Sequence, residues 1–208
     1  MKNSTLHNRV FLISFIFCYL ASKDWCNMLT YIALLRGINV SGQKKIRMSD
    51  LRELFMALGY LNVVSYIQSG NVVFKYEKKV PGLLEEEVQF AIKDRFGFDV
   101  PVIIKTGEQW NDILESNPFK EMTIAEGNKM YYVLFKDTPE TSLVEDFKEE
   151  KFKHEKCTII RDCGYLVCFK GAGKAKLNNN LLERKLRVSA TTRNHRTMVK
   201  LLEISGAE

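Results

Sequence analysis

Three polar clusters interrupt an otherwise regular pattern of apolar and amphipathic segments, and each holds residue types that can bind or polarise an anion. The first runs from Arg36 through Gly37-Ile38-Asn39-Val40 to Ser41-Gly42-Gln43-Lys44-Lys45. The second is Gln68-Ser69-Gly70-Asn71. The third has two parts, Gly171-Ala172-Gly173-Lys174-Ala175-Lys176 and Thr191-Thr192-Arg193-Asn194-His195-Arg196-Thr197. Guanidinium groups clamp phosphates and carboxylates through paired N–H donors. Glycine-bearing loops before helices cradle anions with main-chain N–H groups. The candidate ligand contacts are therefore Arg36, Asn39, Lys44, Ser69, Asn71, Lys174, Lys176, Arg193, Asn194 and Arg196.

Each candidate also has a structural use. Arg36 ends an apolar run and fits an ion pair that pins its loop. Asn39 and Asn71 suit tight turns held by local side-chain bonds. Gln68 to Asn71 reads as a hairpin turn. Arg193 and Arg196 can clamp a ligand or pair with acids of segment 137–150. Thr192 or Asn194 can cap the last helix. The Gly171–Lys176 stretch has the outline of a P-loop. However, Cys168 stands where the first glycine belongs and Ala175 where the Mg²⁺-binding hydroxyl belongs, which excludes nucleotide hydrolysis of that type. Ser69 as a nucleophile needs a base, and His154 and His195 are the candidates outside the leader. Tyr66, Phe74 and Tyr76 suit base stacking on an open sheet face or a core.

Charge narrows the partner class. Net charge is +6 overall. Residues 151–200 carry 13 Lys/Arg against 3 Asp/Glu, whereas residues 137–150 carry 6 acids against 1 Lys. A focused basic region attracts phosphate-bearing ligands or nucleic acid. Five cysteines are too few for a disulfide framework in 208 residues. Cys157, Cys163 and Cys168 fit buried thiols on strands better than a metal site with His154. A reducing, cytoplasmic setting follows. Neither a metal nor another cofactor is expected, and the folded part is expected to have no membrane partner.

The elements that must position these clusters begin after residue 27. Lys2 and Arg9 precede an apolar run, Val10 to Ala21, that is short for a membrane span and lacks a good cleavage site. Residues 1–27 are read as a leader or upstream extension outside the fold, with Met28 as the preferred start. A strand is expected over 29–35. Ser49 should cap a helix that carries Leu51, Leu54, Phe55 and Leu58 on one face and ends at Gly59. Strands follow over 62–68 and 72–76. Pro81 opens a second helix with Leu84, Val88, Ala91, Ile92 and Phe96 along its face. A strand over 99–105 and a helix over 106–115, with a Thr106/Gln109 capping box, complete the first half. Residues 120–128 look like a linker.

The second half repeats this order. It has a strand over 130–135, a helix capped by Thr138, strands over 156–161 and 165–170, a helix over 177–187, a strand over 188–191 and a helix over 194–204. The expected class is α+β: two consecutive ferredoxin-like β-α-β-β-α-β units, a duplicated topology, with an extra C-terminal helix. The expected domains are 28–119 and 129–208.

Several motifs resemble one known family. They are Ala33-Leu34-Leu35-Arg36-Gly37-Ile38-Asn39-Val40, Tyr66-Ile67-Gln68-Ser69-Gly70-Asn71-Val72-Val73-Phe74, Asn117-Pro118-Phe119, Lys176-Leu177 and Thr192-Arg193-Asn194. In this order, spanning about residues 28–205, they are similar to the bacterial domain-of-unknown-function family 1697. The resemblance implies an α+β fold with ferredoxin-like halves and no established activity. Two positions depart from the family's usual residues: Ala175 replaces a common Ser, and His195 a common Trp. The function expected is binding of a phosphorylated small molecule or nucleic acid through the basic C-terminal region. The alternatives are an enzyme for a small anionic substrate and a structural or protein-interaction domain.

Overall fold

The apolar run at the head of the chain forms β1 (Met28–Leu35), whose last five residues are fully buried. A strand with apolar residues on both faces needs cover on both, and that requirement organises the fold. The computed structural model describes residues 27–40, 42–122 and 129–207. The readings of the leader and of most of the 120–128 linker therefore lie outside the described residues.

After β1 come α1 (Met48–Ala57), β2 (Leu61–Tyr66), β3 (Asn71–Glu77), α2 (Pro81–Phe96), β4 (Val102–Thr106) and α3 (Gly107–Glu115). The second half contains β5 (Met130–Phe135), α4 (Thr141–Lys148), β6 (Glu155–Ile160), β7 (Cys163–Cys168), α5 (Asn179–Leu186), β8 (Ala190–Asn194) and α6 (His195–Ser205). The strands form two four-stranded sheets ordered β2-β3-β1-β4 and β6-β7-β5-β8. Every pairing in both is antiparallel. The chain is thus mixed α+β, with the same strand order in each half.

Alternation along the strands divides the core into three layers. Tyr31, Ala33, Leu35, Val72 and Phe74 face α1 and α2 with Leu51, Phe55, Leu84, Val88 and Ile92. Val133, Phe135, Leu166 and Cys168 face α5 with Leu182 and Leu186, and Phe147 of α4 joins them. The opposite faces of both sheets share one middle core. Ile32, Leu34 and Val73 from the first sheet and Tyr132, Leu134, Tyr165 and Val167 from the second enclose Trp110 of α3 and Met198 and Leu201 of α6. Trp110 Nε1 donates to the Met198 carbonyl at 2.9 Å, so its one polar atom is satisfied in that core. Among the described residues, each sheet packs a core against both of its faces, with Leu61 and Val64 of edge strand β2 exposed. Phe74 lies between Tyr31 and Tyr60 in the first core, so it is a core residue; Tyr76 packs half-buried against the same core and Tyr66 against the middle one.

Several local expectations shift. Ser49 is not the cap of α1. Arg47 stands at that position with no side-chain bond, and the Ser49 hydroxyl donates to Asp50. Thr138 does not cap α4, because the chain stays extended through Glu140 before Thr141 begins the helix. The strand expected over 188–191 runs later, as Ala190–Asn194, so Thr192-Arg193-Asn194 ends a strand before it opens a helix. Asn194, not Thr192, caps α6, by accepting from Thr197 N at 2.9 Å. The capping box of α3 forms as expected.

Candidate functional site

The β8 register explains where Arg193 points. It pairs with Tyr132 of β5, whose side chain lies in the middle core, so strand alternation sends Arg193 into the same layer. Only 9% of it is exposed. Its Nε donates to Asn71 Oδ1. Nη1 donates to Thr191 Oγ1 and to the Thr192 carbonyl, both at 2.9 Å. Nη2 reaches the carbonyls of Leu35 at 3.2 Å, Ser69 at 3.1 Å and Gly70 at 3.4 Å. A guanidinium has five N–H donors, and these acceptors engage all three of its nitrogens. Burial pulls its pKa down to about 10, so it remains cationic at neutral pH.

The acceptors come from the ends of strands. Gly70 has φ +78°, and its carbonyl accepts from Leu35 N at 2.8 Å. A Cβ at this glycine would lie 2.7 Å from Leu35 Cβ, so the turn also needs the missing side chain to close on β1. Asn71 is fully buried and donates to the Tyr66 carbonyl at 3.0 Å and to Ser69 Oγ at 3.1 Å. The hairpin motif therefore supplies a carbonyl lining that Arg193 fills.

Arg36 adds a second tie between the halves. It forms an ion pair with Glu183 of α5 and donates to Asn180 Oδ1 at 3.1 Å. Glu183 also accepts from Ala190 N at 2.8 Å, which anchors β8 to the same carboxylate. Asn39, with φ 55°, exchanges bonds with Ile46 and donates to the Gln68 carbonyl. Lys44 donates to the Asp99 carbonyl. Asn117 donates to Tyr132 Oη, which also bonds His195 Nδ1 at 3.0 Å. His195 stacks on the Tyr132 ring, and burial lowers its pKa.

The clusters meet only in part. Arg36, Ser69, Asn71 and Arg193 belong to one junction between the two halves. Lys174 and Lys176 stand exposed between β7 and α5, where Lys176 N donates to Glu155. Arg196 is exposed on α6. Ser69 Oγ accepts from Asn71 while His195 is held by Tyr132, so no nucleophile–base couple forms between them. Cys157, Cys163 and Cys168 are free thiols on β6 and β7, and burial pushes all three up, Cys157 to about 12 and Cys168 to about 11.

An opening lies beside the junction. A cleft of about 750 Å³ is bordered by Asn39, Gly42, Lys45, Ile46, Arg47, Met48, Ser49, Asp50, Gln68 and Phe96. Lys45 and Arg47 are exposed, and α1 starts here without a side-chain cap. From sequence, Lys45 belongs to the first cluster, but only Arg36, Asn39 and Lys44 of that cluster are expected ligand contacts, and Arg47 is not singled out. Two cations one residue apart before a helix were the available signal; that α1 starts without a side-chain cap shows only in the structure.

The chain belongs to the family described as Protein of unknown function (DUF1697), whose model matches residues 28–165. The first two motif groups and Asn117-Pro118-Phe119 fall inside that match, whereas Arg193 lies beyond it. The conserved bacterial protein SP0830 from Streptococcus pneumoniae has a similar structure. It is 23% identical, with a TM-score of 0.70, and the match covers 86% of this chain and 99% of that one. At that identity the likeness is one of fold. A search of curated proteins finds no match.

Proposed function

We propose that this protein is a non-enzymatic binding module for a small phosphorylated or otherwise anionic ligand, held in the cleft beside residues 42–50. The observation that carries this is the coincidence of an open volume of about 750 Å³ with two exposed cations and an uncapped helix start. Main-chain N–H groups in the first turn of a helix attract anions, and Lys45 and Arg47 would add charge-assisted bonds. Asn39 holds the loop that carries both. The Arg193 junction is a brace in this account, because its donors are already matched.

The two halves are proposed to be separate ferredoxin-like units, 28–119 and 129–208. The identical antiparallel strand orders and the β-α-β-β-α-β sequence of each half support that assignment. No helix among the described residues is long and apolar enough to cross a membrane.

Calorimetric titration with inorganic phosphate, pyrophosphate and nucleoside monophosphates at low salt tests the proposal. Binding should weaken as salt rises and fall at least tenfold in the Lys45→Ala/Arg47→Ala double variant. Absence of binding by every one of these anions would refute it.

A further inference from the structure

A second charged region lies between the halves, and it shares no residue with the cleft beside α1. Val102 and Ile104 of β4 face the core of the first half, so the period of two turns Lys105 the other way. Lys105 is 7% exposed and forms an ion pair with Asp162, in the turn between β6 and β7. On α2, Glu85 is 4% exposed. One of its oxygens accepts from Ile104 N at 2.8 Å, and the other lies 3.9 Å from Lys136 Nζ, too far for a hydrogen bond. Between these groups is a cavity of about 390 Å³, bordered also by the first turn of α2 at Gly82 and by Asp137.

A buried carboxylate normally persists because it is fully paired. Here a single main-chain N–H and a distant ammonium do that work, and burial raises the carboxyl above its usual range while Lys136 and Lys105 oppose the rise. The cavity walls carry both signs. Glu85, Glu86 and Asp137 disfavour a simple anion, whereas Lys136, Lys105 and the positive end of α2 disfavour a simple cation. The volume is at the lower end of the range for small-ligand pockets, about 300–1,000 Å³.

We propose that this cavity binds a small zwitterion of the amino-acid class. Its ammonium group sits between Glu85 and Asp137, and its carboxylate meets Lys136 and the first turn of α2. Glu85 belongs to the first half and Lys136 to the second, so an occupant bridges the two and stabilises their docking.

The test is a thermal-shift and calorimetric series on the full chain with each proteinogenic amino acid at millimolar concentration. Acetate and ethylammonium serve as probes carrying one charge each. At least one amino acid is expected to raise the melting temperature in a concentration-dependent way, with neither single-charge probe doing so. Glu85→Gln should weaken that binding about tenfold or more. Lys136→Ala, at a side chain 38% exposed and therefore safe for folding, should do the same. Lys45→Ala/Arg47→Ala should leave it unchanged, which separates this site from the anion cleft. The proposal is overturned if no amino acid binds, if acetate or ethylammonium binds equally well, or if binding survives both variants unchanged.

Discussion

The junction around Arg193 and the cleft around Lys45 and Arg47 lie close together in the fold, and both present cations from motif-bearing loops. They differ in what surrounds the charge. Arg193 is enclosed, and each of its nitrogens reaches an acceptor within the chain. Lys45 and Arg47 stand at the rim of an open volume, and among the described residues neither takes an ion-pair partner. A cation with matched donors and no adjoining space fixes geometry. One with unmatched donors beside a cavity is available to a ligand. Charge and glycine content, which both regions share, do not distinguish them.

The widest separation between the two regions should come from Arg193→Ala. It removes the donors that reach Asn71 Oδ1, Thr191 Oγ1 and the carbonyls of Leu35, Ser69, Gly70 and Thr192, and comparable losses in buried polar clusters cost about 3–5 kcal/mol. Urea unfolding should register that loss. A change under about 1 kcal/mol would mean that Arg193 is not a brace. Gly70→Ala attacks the same junction from the turn. A Cβ contact of 2.7 Å and a φ of +78° predict a cost of about 1–3 kcal/mol in the same assay.

The cleft should behave in the opposite way. Lys45→Ala/Arg47→Ala is expected to change stability by no more than about 0.5 kcal/mol, as surface substitutions do, while removing most anion affinity. A large loss of stability would make these cations structural and erase the contrast.

The smallest effects concern pH. Glu85 has a raised folded-state pKa. The native state therefore keeps its proton where the unfolded chain has lost it, and this contribution declines as pH rises from the usual carboxylate range through the raised value. His195 is lowered instead, so its contribution is present above the usual imidazole range and is lost as pH falls below it. Glu85→Gln should flatten the first slope, and His195→Phe, which keeps the stacked ring, the second. Urea midpoints measured across pH would reveal both, and an unchanged profile in either variant would remove that residue from the account.

Local structure was the most legible layer. The apolar run of β1, the turn at Ser69-Gly70-Asn71, the start of α2 at Pro81 and the capping box of α3 each depend on residues within a few positions of one another. Helix starts were misplaced where the residue at the cap position, Arg47 or Glu140, makes no side-chain cap bond, so that nearby Ser49 and Thr138 carried the cap signal in the sequence. What joins the halves was not legible. Arg193 reaches carbonyls more than 120 residues away in the chain, and a carbonyl acceptor has no side-chain signature. Glu85 was hidden in the run Glu85-Glu86-Glu87, which reads as a solvated face although its first member turns inward beside Leu84.

The most direct test of the contrast is a two-dimensional amide NMR titration of the wild-type protein with pyrophosphate at low salt. Shift changes should concentrate at residues 42–50 and Gln68 and leave Ser69, Asn71 and residues 191–193 nearly unmoved. Changes centred on Arg193 or on Lys174 and Lys176, or none anywhere, would contradict the assignment of the cleft as the site and the junction as the brace.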